Sequence, residues 1–232
     1  MPEPIALCFS GGKDSCLALQ KFRAEGCFEV VELVTTVTDA FDRVSMHGVR
    51  RSLLREQADS IDLPLTEVVV PPEPSNVVYE REMGRAFAKL REQGIGRVGF
   101  GDLFLEDLRE YRVRQLAESG LECEFPIWHT PTDELARTFI RDGFRAVTVC
   151  VNPAVLPVSF AGRPYDDAFL AELPAGVDPC GENGEFHTFV FDGPIFDRPI
   201  TVDIGEVAER DGFGFCDLLP AHRAGLARAI PG

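Results

Sequence analysis

The stretch Ile5-Ala6-Leu7-Cys8-Phe9-Ser10-Gly11-Gly12-Lys13-Asp14-Ser15-Cys16-Leu17-Ala18-Leu19 passes from an unbroken apolar run, through a double-glycine turn, into helical apolar spacing. It reads as a buried strand, a loop and a helix. Adjacent glycines let the backbone turn sharply and approach a ligand, because no Cβ blocks positive φ or close contact with an anion. Successive loop amides and the open N-H groups of the following helix form a concave donor site suited to phosphate oxygens. Ser10 and Ser15 add hydroxyl groups, and Lys13 adds a mobile positive charge.

The same grammar continues outward. Residues 30–37 form a β-branched run, residues 50–61 place Leu53, Leu54, Ala58 and Ile61 on one helical face, and residues 65–70 read as a third strand. Pro71-Pro72-Glu73-Pro74 is a stiff loop, and Ser75 caps a helix over 79–90. A fourth strand follows at 97–101, then a helix at 106–117, a fifth strand at 123–128, a helix at 133–140 and β character at 146–151. This alternation predicts an α/β fold, a parallel sheet with helices on both faces and its ligand at the strand-end edge. After Asn152-Pro153, prolines and glycines become frequent. The chain therefore divides into 1–152, the nucleotide-binding unit, and 153–232, a smaller α+β substrate region with an irregular stretch at 156–179 and strand candidates at 188–191 and 200–204.

The chain has 232 residues, with 38 acidic against 23 basic side chains and a formal charge of −15. Such a field repels nucleic acid and anionic membranes, so nucleic-acid binding would need a local basic patch. Arg109, Arg112 and Arg114 are the candidates, or simply a solvated helix face. The start lacks a basic segment followed by a long apolar run, and no apolar stretch approaches a membrane span; a soluble cytoplasmic protein is expected. Seven cysteines occur without a Cys-x-x-Cys pair or zinc-ligand spacing, so reduced thiols are expected, with Cys8 and Cys150 as small core residues.

Ser10 to Ser15 lacks the Gly-Lys-Ser/Thr ending of the common phosphate-loop NTPases. It resembles the PP-loop of the adenine nucleotide α-hydrolase superfamily, whose Ser-Gly-Gly-x-Asp-Ser pattern follows strand one of a Rossmann-like (HUP-type) sheet. The resemblance implies cleavage of ATP between the α- and β-phosphates, giving pyrophosphate and an adenylated substrate. Pyrophosphate leaves well only when donors and a cation neutralise its growing charge. Lys13 and the amides of Gly11 and Gly12 suit that task, Ser10 and Ser15 bind phosphate, and Asp14 either fixes the loop or contacts Mg2+.

Further motifs narrow the resemblance: Thr35-Thr36-Val37, Val44-Ser45-Met46-His47-Gly48-Val49-Arg50, Gly101-Asp102-Leu103 with Glu106-Asp107, and Gly181-Glu182-Asn183-Gly184-Glu185-Phe186-His187-Thr188-Phe189. They are similar to the diphthine-ammonia ligase family, over nearly the whole chain. That family implies amide formation from a carboxylate by ATP and ammonia or an amine. The last motif departs from the archaeal and eukaryotic Gly-Glu-Gly-Gly-Glu-Phe/Tyr-Glu-Thr pattern at Asn183 and His187, and resembles the bacterial branch. The acceptor stays unidentified, as does any homo-oligomer.

On this reading Lys13, Asp14, Glu185 and His187 are catalytic, and Gly181, Glu182, Asn183, Gly184, Glu185, Phe186, His187 and Thr188 bind substrate. Thr35, Thr36, His47, Gly101 and Asp102 join the loop in holding ATP, with Asp14 and Asp102 at Mg2+. The residues alone leave alternatives. The 181–188 segment also reads as a tight hairpin, His47 as a surface or capping histidine, Asp102 as the start of a turn, and Glu106 as a first-turn acid. Trp128 and His129 end strand five near the ligand edge, with core packing the plainer role for Trp128. Tyr111 and Arg112 either reach the second region or face solvent. Cys180 lacks an obvious activating pair for a nucleophile. Competing functions are a nucleotide-binding sensor without turnover and sulfur transfer to tRNA.

Overall fold

The computed structural model describes residues 1–45 and 47–221. Met46, inside the second quoted motif, and residues 222–232, the end of the second region, lie outside the described residues.

The opening stretch folds as strand β1 (Glu3–Cys8), a loop, and helix α1 (Lys13–Glu25). In β1 alternate residues face opposite ways: Ile5 and Leu7, with Phe9 just beyond, pack on one side of the sheet, and Ala6 and Cys8 on the other. Helix α1 stops where Gly26 takes a left-handed conformation (φ 67°) and its N-H bonds to the Phe22 carbonyl at 3.2 Å.

Five parallel strands follow the order β4-β2-β1-β5-β6, with β2 (Phe28–Thr38), β4 (Leu65–Val70), β5 (Arg97–Gly99) and β6 (Glu122–Glu124). The two-residue β3 (Arg43–Val44) folds back antiparallel on the end of β2. Helices α1 and α2 (Arg51–Ile61) cover one face, and α3 (Asn76–Glu92) and α4 (Glu106–Glu118) cover the other. Ser75 caps α3 by accepting from the Val78 amide. This is the expected doubly covered α/β sheet, and its strand order reverses direction at β1.

Three expectations change. The fifth strand is shorter than 123–128, because Pro126 has no N-H to extend the ladder and Phe125 to Trp128 close a turn, Trp128 N to Phe125 O 3.2 Å. The "irregular" stretch contains α6 (Asp167–Glu172), capped by Asp166, whose Oδ1 accepts from Phe169 N at 2.8 Å. The run at 146–151 is β7 (Arg145–Val151), but it does not join the parallel sheet. It pairs antiparallel with β8 (Phe186–Asp192) and β10 (Phe213–Pro220) in a second sheet of order β8-β7-β10-β9, where β9 is Val202–Arg210. A division at residue 152 cuts between β7 and these partners; the change of sheet falls between β6 and β7, around α5 (Thr132–Arg141). The second sheet packs on the α1/α2 face, so Leu54 of α2, Phe139 of α5 and Phe189 of β8 belong to one continuous core.

Candidate active site at the reversal of strand order

The loop after β1 and the loop after β5 leave the sheet side by side where the strand order reverses, the place where open α/β sheets bind ligands. A cavity of about 320 Å³ opens there, lined by both loops, the end of β2 and the 180–188 segment. The loops meet backbone to backbone. A Cβ on Gly101 would lie 2.9 Å from the Asp14 carbonyl group, and one on Gly12 would lie 3.1 Å from the Thr188 carbonyl oxygen. Gly11, at φ 78°, makes the turn.

The second sheet completes this loop. Thr188 Oγ1 accepts from the Lys13 amide at 3.0 Å, and the Val190 amide donates to the Gly11 carbonyl at 2.9 Å. Gln57 of α2, fully buried, donates to the same Gly11 carbonyl at 2.9 Å and to the Val190 carbonyl. Within the loop, Ser15 Oγ donates to Gly12 O (2.9 Å), and Ser10 Oγ accepts from Gly12 N (3.3 Å).

Lys13 is not the mobile charge expected. It is 2% exposed, and its ammonium donates to Asp14 Oδ2 at 2.9 Å and to the Cys180 carbonyl, 5.4 Å from the centre of the Phe186 ring. Burial pulls its pKa down, but Asp14 and the neighbouring acids outweigh that and raise it, so Lys13 keeps its proton. Asp14 Oδ1 is buried with no partner.

Thr35 and Thr36, towards the end of β2, line the cavity together with Val34, Tyr79 and Met83. His47 and His187 meet ring to ring, centroids 4.4 Å apart. Burial pushes His47 down to about 4 and His187 well below the usual histidine range, leaving both neutral at pH 7. Glu182 accepts from the Leu103 amide at 2.8 Å, tying the 180–188 segment to the β5 loop, and burial pushes its carboxyl up to about 7.

Three expected site residues stand differently. Asp102 lines the cavity, but both its oxygens accept from Arg112, whose guanidinium lies 4.4 Å over the Phe100 ring. Glu185 and Asn183 are off the cavity wall. Glu185 is 5% exposed and accepts from the Asp178 amide (3.1 Å) and Asn183 Nδ2 (3.0 Å), bracing the turn closed by Gly184 N to Gly181 O at 3.1 Å. Phe186, His187 and Thr188 already belong to β8, so the hairpin and the ligand wall are one feature.

Cys180 is buried with its thiol donating to the Thr132 carbonyl at 3.3 Å, and burial raises its pKa, which suits no nucleophile. Trp128 packs at tilted angles against Phe125 and His129 under Arg109, and His129 Nε2 lies 3.3 Å from Glu106 Oε1, outside the cavity. Arg114 lies 3.9 Å from Glu110 on the exposed side of α4. Gln57 and Tyr79 carry no site role in the sequence reading, and Ser45 enters it only inside the Val44–Arg50 motif; a lone glutamine on an apolar helix face is the available signal for the first.

The polar end of the cavity, with loop amides, hydroxyls and Lys13, fits a polyphosphate, and the Val34, Tyr79 and Met83 side fits a base. For Mg2+, Asp14 offers an unpartnered oxygen, whereas Asp102 is tied to Arg112. Among the described residues no three histidine, cysteine or acidic side chains converge as a metal site, and no helix is long and apolar enough to cross a membrane.

A family model described as the diphthamide synthase N-terminal domain matches residues 4–123, and one described as the diphthamide synthase C-terminal domain matches residues 131–223. Among curated proteins, the diphthine–ammonia ligase of Bos taurus is 26% identical over 234 residues, covering 91% of this chain and 87% of that protein. The same-named protein of Rattus norvegicus is 26% identical over 245 residues, covering 96% and 91%. A solved structure described as a predicted subunit of tRNA methyltransferase from Methanocaldococcus jannaschii aligns at TM-score 0.43 and 14% identity, covering 63% of this chain and 80% of that one.

Proposed function

The chain belongs to the diphthamide synthase family, and from that premise we propose that it is an ATP-dependent ligase that makes a carbon–nitrogen bond by cleaving ATP to AMP and pyrophosphate. The observation that carries the reading is the convergence of the Ser10–Ser15 loop and the 180–188 segment on one cavity, so that both motifs that carry the family resemblance face a single space. Relatives named diphthine–ammonia ligase support the reaction type.

The loop amides and the protonated Lys13 face the position where pyrophosphate gains charge, and Ser10 and Ser15 hold its oxygens. Mg2+, bound through Asp14, would supply further neutralisation. A carboxylate on the acceptor attacks the α-phosphate, and pyrophosphate departs. Ammonia then attacks the acyl carbon, the acyl–oxygen bond breaks, AMP leaves as a dianion, and nitrogen gives up a proton to reach the neutral amide. Glu182, raised to about 7, is a cavity group able to take a proton at that stage, while burial holds His187 in its neutral form.

Incubation of the protein with Mg-ATP, ammonium and a panel of carboxylic acids tests this. AMP and pyrophosphate in equal amounts are expected; ADP and phosphate would overturn the mechanism.

A further inference from the structure

A cavity of about 320 Å³ has little room beyond one nucleotide, so a second reactant needs its own place within reach of the loop. A cleft of about 440 Å³ opens beside it, and Val44 and Ser45 belong to the walls of both. One side is the β2–β3 hairpin and the other the β9–β10 hairpin. Along β9 the cleft residues are Glu206, Ala208 and Arg210, alternate positions, so one face of the strand's second half is turned to it. Ala208 lies opposite Phe215 in the ladder, and Phe215 reaches Gly48, where a Cβ would come within 2.8 Å.

The two sides are locked before any ligand arrives. Asp217 of β10 accepts from Arg43 at 2.9 Å and from Arg50 at 2.6 and 3.0 Å, one carboxylate shared by two guanidinium groups. The apolar part of the lining includes Ala208, Phe215, and Phe41, which is 63% exposed. A cleft of this size admits a small molecule or one long side chain rather than a folded domain. The lining mixes acids (Glu206, Asp211 and Asp217) with bases (Arg43 and Arg210), so charge in the cleft does not decide which end of an acceptor enters it; the reacting end is the one that reaches the adjoining cavity past Val44 and Ser45.

We propose that this cleft is the acceptor site: it grips a carboxylic acid by an apolar stem on Phe41, Ala208 and Phe215, and the carboxyl end passes Val44 and Ser45 towards the phosphate loop. The assignment rests on the ligase reading for its place in the reaction. Phe41 and Ala208 then set which acids are accepted.

The test uses the full chain and 4-phenylbutyrate as probe, with binding read by saturation-transfer NMR and no turnover required. Ala208→Trp fills the cleft, Phe41→Asp alters its exposed mouth without touching the core, and Val207→Trp places the same bulk on the opposite face of β9. The probe is expected to bind wild type and Val207→Trp alike and to bind the other two about tenfold more weakly, a loss of about 1.4 kcal/mol, with ATP affinity unchanged throughout. No binding to wild type, or undiminished binding to Ala208→Trp and Phe41→Asp, overturns the proposal. Neither result alters the AMP and pyrophosphate test, and a wrong reaction assignment leaves the binding result standing.

Discussion

Lys13 is both a buried cation and the positive charge of a phosphate loop, and the two demands can be separated. Its ammonium satisfies Asp14 Oδ2 and the Cys180 carbonyl. Lys13→Gln keeps a donor for the carbonyl and removes the charge; Lys13→Ala removes both. Both variants are expected to lose pyrophosphate formation by about 10²–10³-fold, the scale of removing one transition-state donor. Thermal melting should separate them, with Lys13→Ala the less stable because it leaves a buried carbonyl unpaired. His47 gives a pH signature. Its folded pKa, about 4, lies below the ordinary 6.5, so its contribution to stability is present above pH 6.5 and lost as pH falls through 4. His47→Asn should flatten the fall in melting temperature across that window, and an unchanged slope would refute the assignment.

The phosphate loop behaves as an element only because two others hold it. Gln57 on α2 and Val190 on β8 both donate to the Gly11 carbonyl, so the loop is suspended between the sheets. Gln57→Leu leaves the Val190 carbonyl without this donor and is expected to cost about 1–3 kcal/mol of stability, the price of a buried unsatisfied polar group. Urea unfolding measures the loss, and ATP affinity should fall with it. Position 57 was legible only as a polar residue among Leu53, Leu54, Ala58 and Ile61; its partner lies 133 positions away, which no local pattern reveals. The loop itself was legible because glycine, serine and lysine requirements are local. Asp211-Gly212, both at positive φ between β9 and β10, is a hairpin signal of the same local kind, and it went unread because the flanking strands are amphipathic and short of apolar runs.

At the scale of the molecule, β7 explains why the parallel sheet was legible and the strand's place in a second sheet was not. Ala146 to Val151 is buried throughout, and a strand buried on both faces reads alike whether its neighbours are parallel or antiparallel. Pairing with β8 and β10 places β7 in the sheet that braces the phosphate loop and forms one side of the cleft at Phe215. The two family models part between residues 123 and 131, yet one apolar cluster runs from Ile5 and Leu54 to Phe139, Phe189 and Leu218. A fragment of residues 1–130 would expose the α1/α2 face that this cluster covers and would lack Thr188, Val190 and Asp217. It is therefore expected to aggregate or to melt without cooperativity and to bind no ATP, whereas co-expression with residues 131–232 should restore both properties. An independently folded, ATP-binding 1–130 fragment would mean that the second sheet serves the acceptor alone, and that Lys13 does not need the Cys180 carbonyl to hold its charge at the loop.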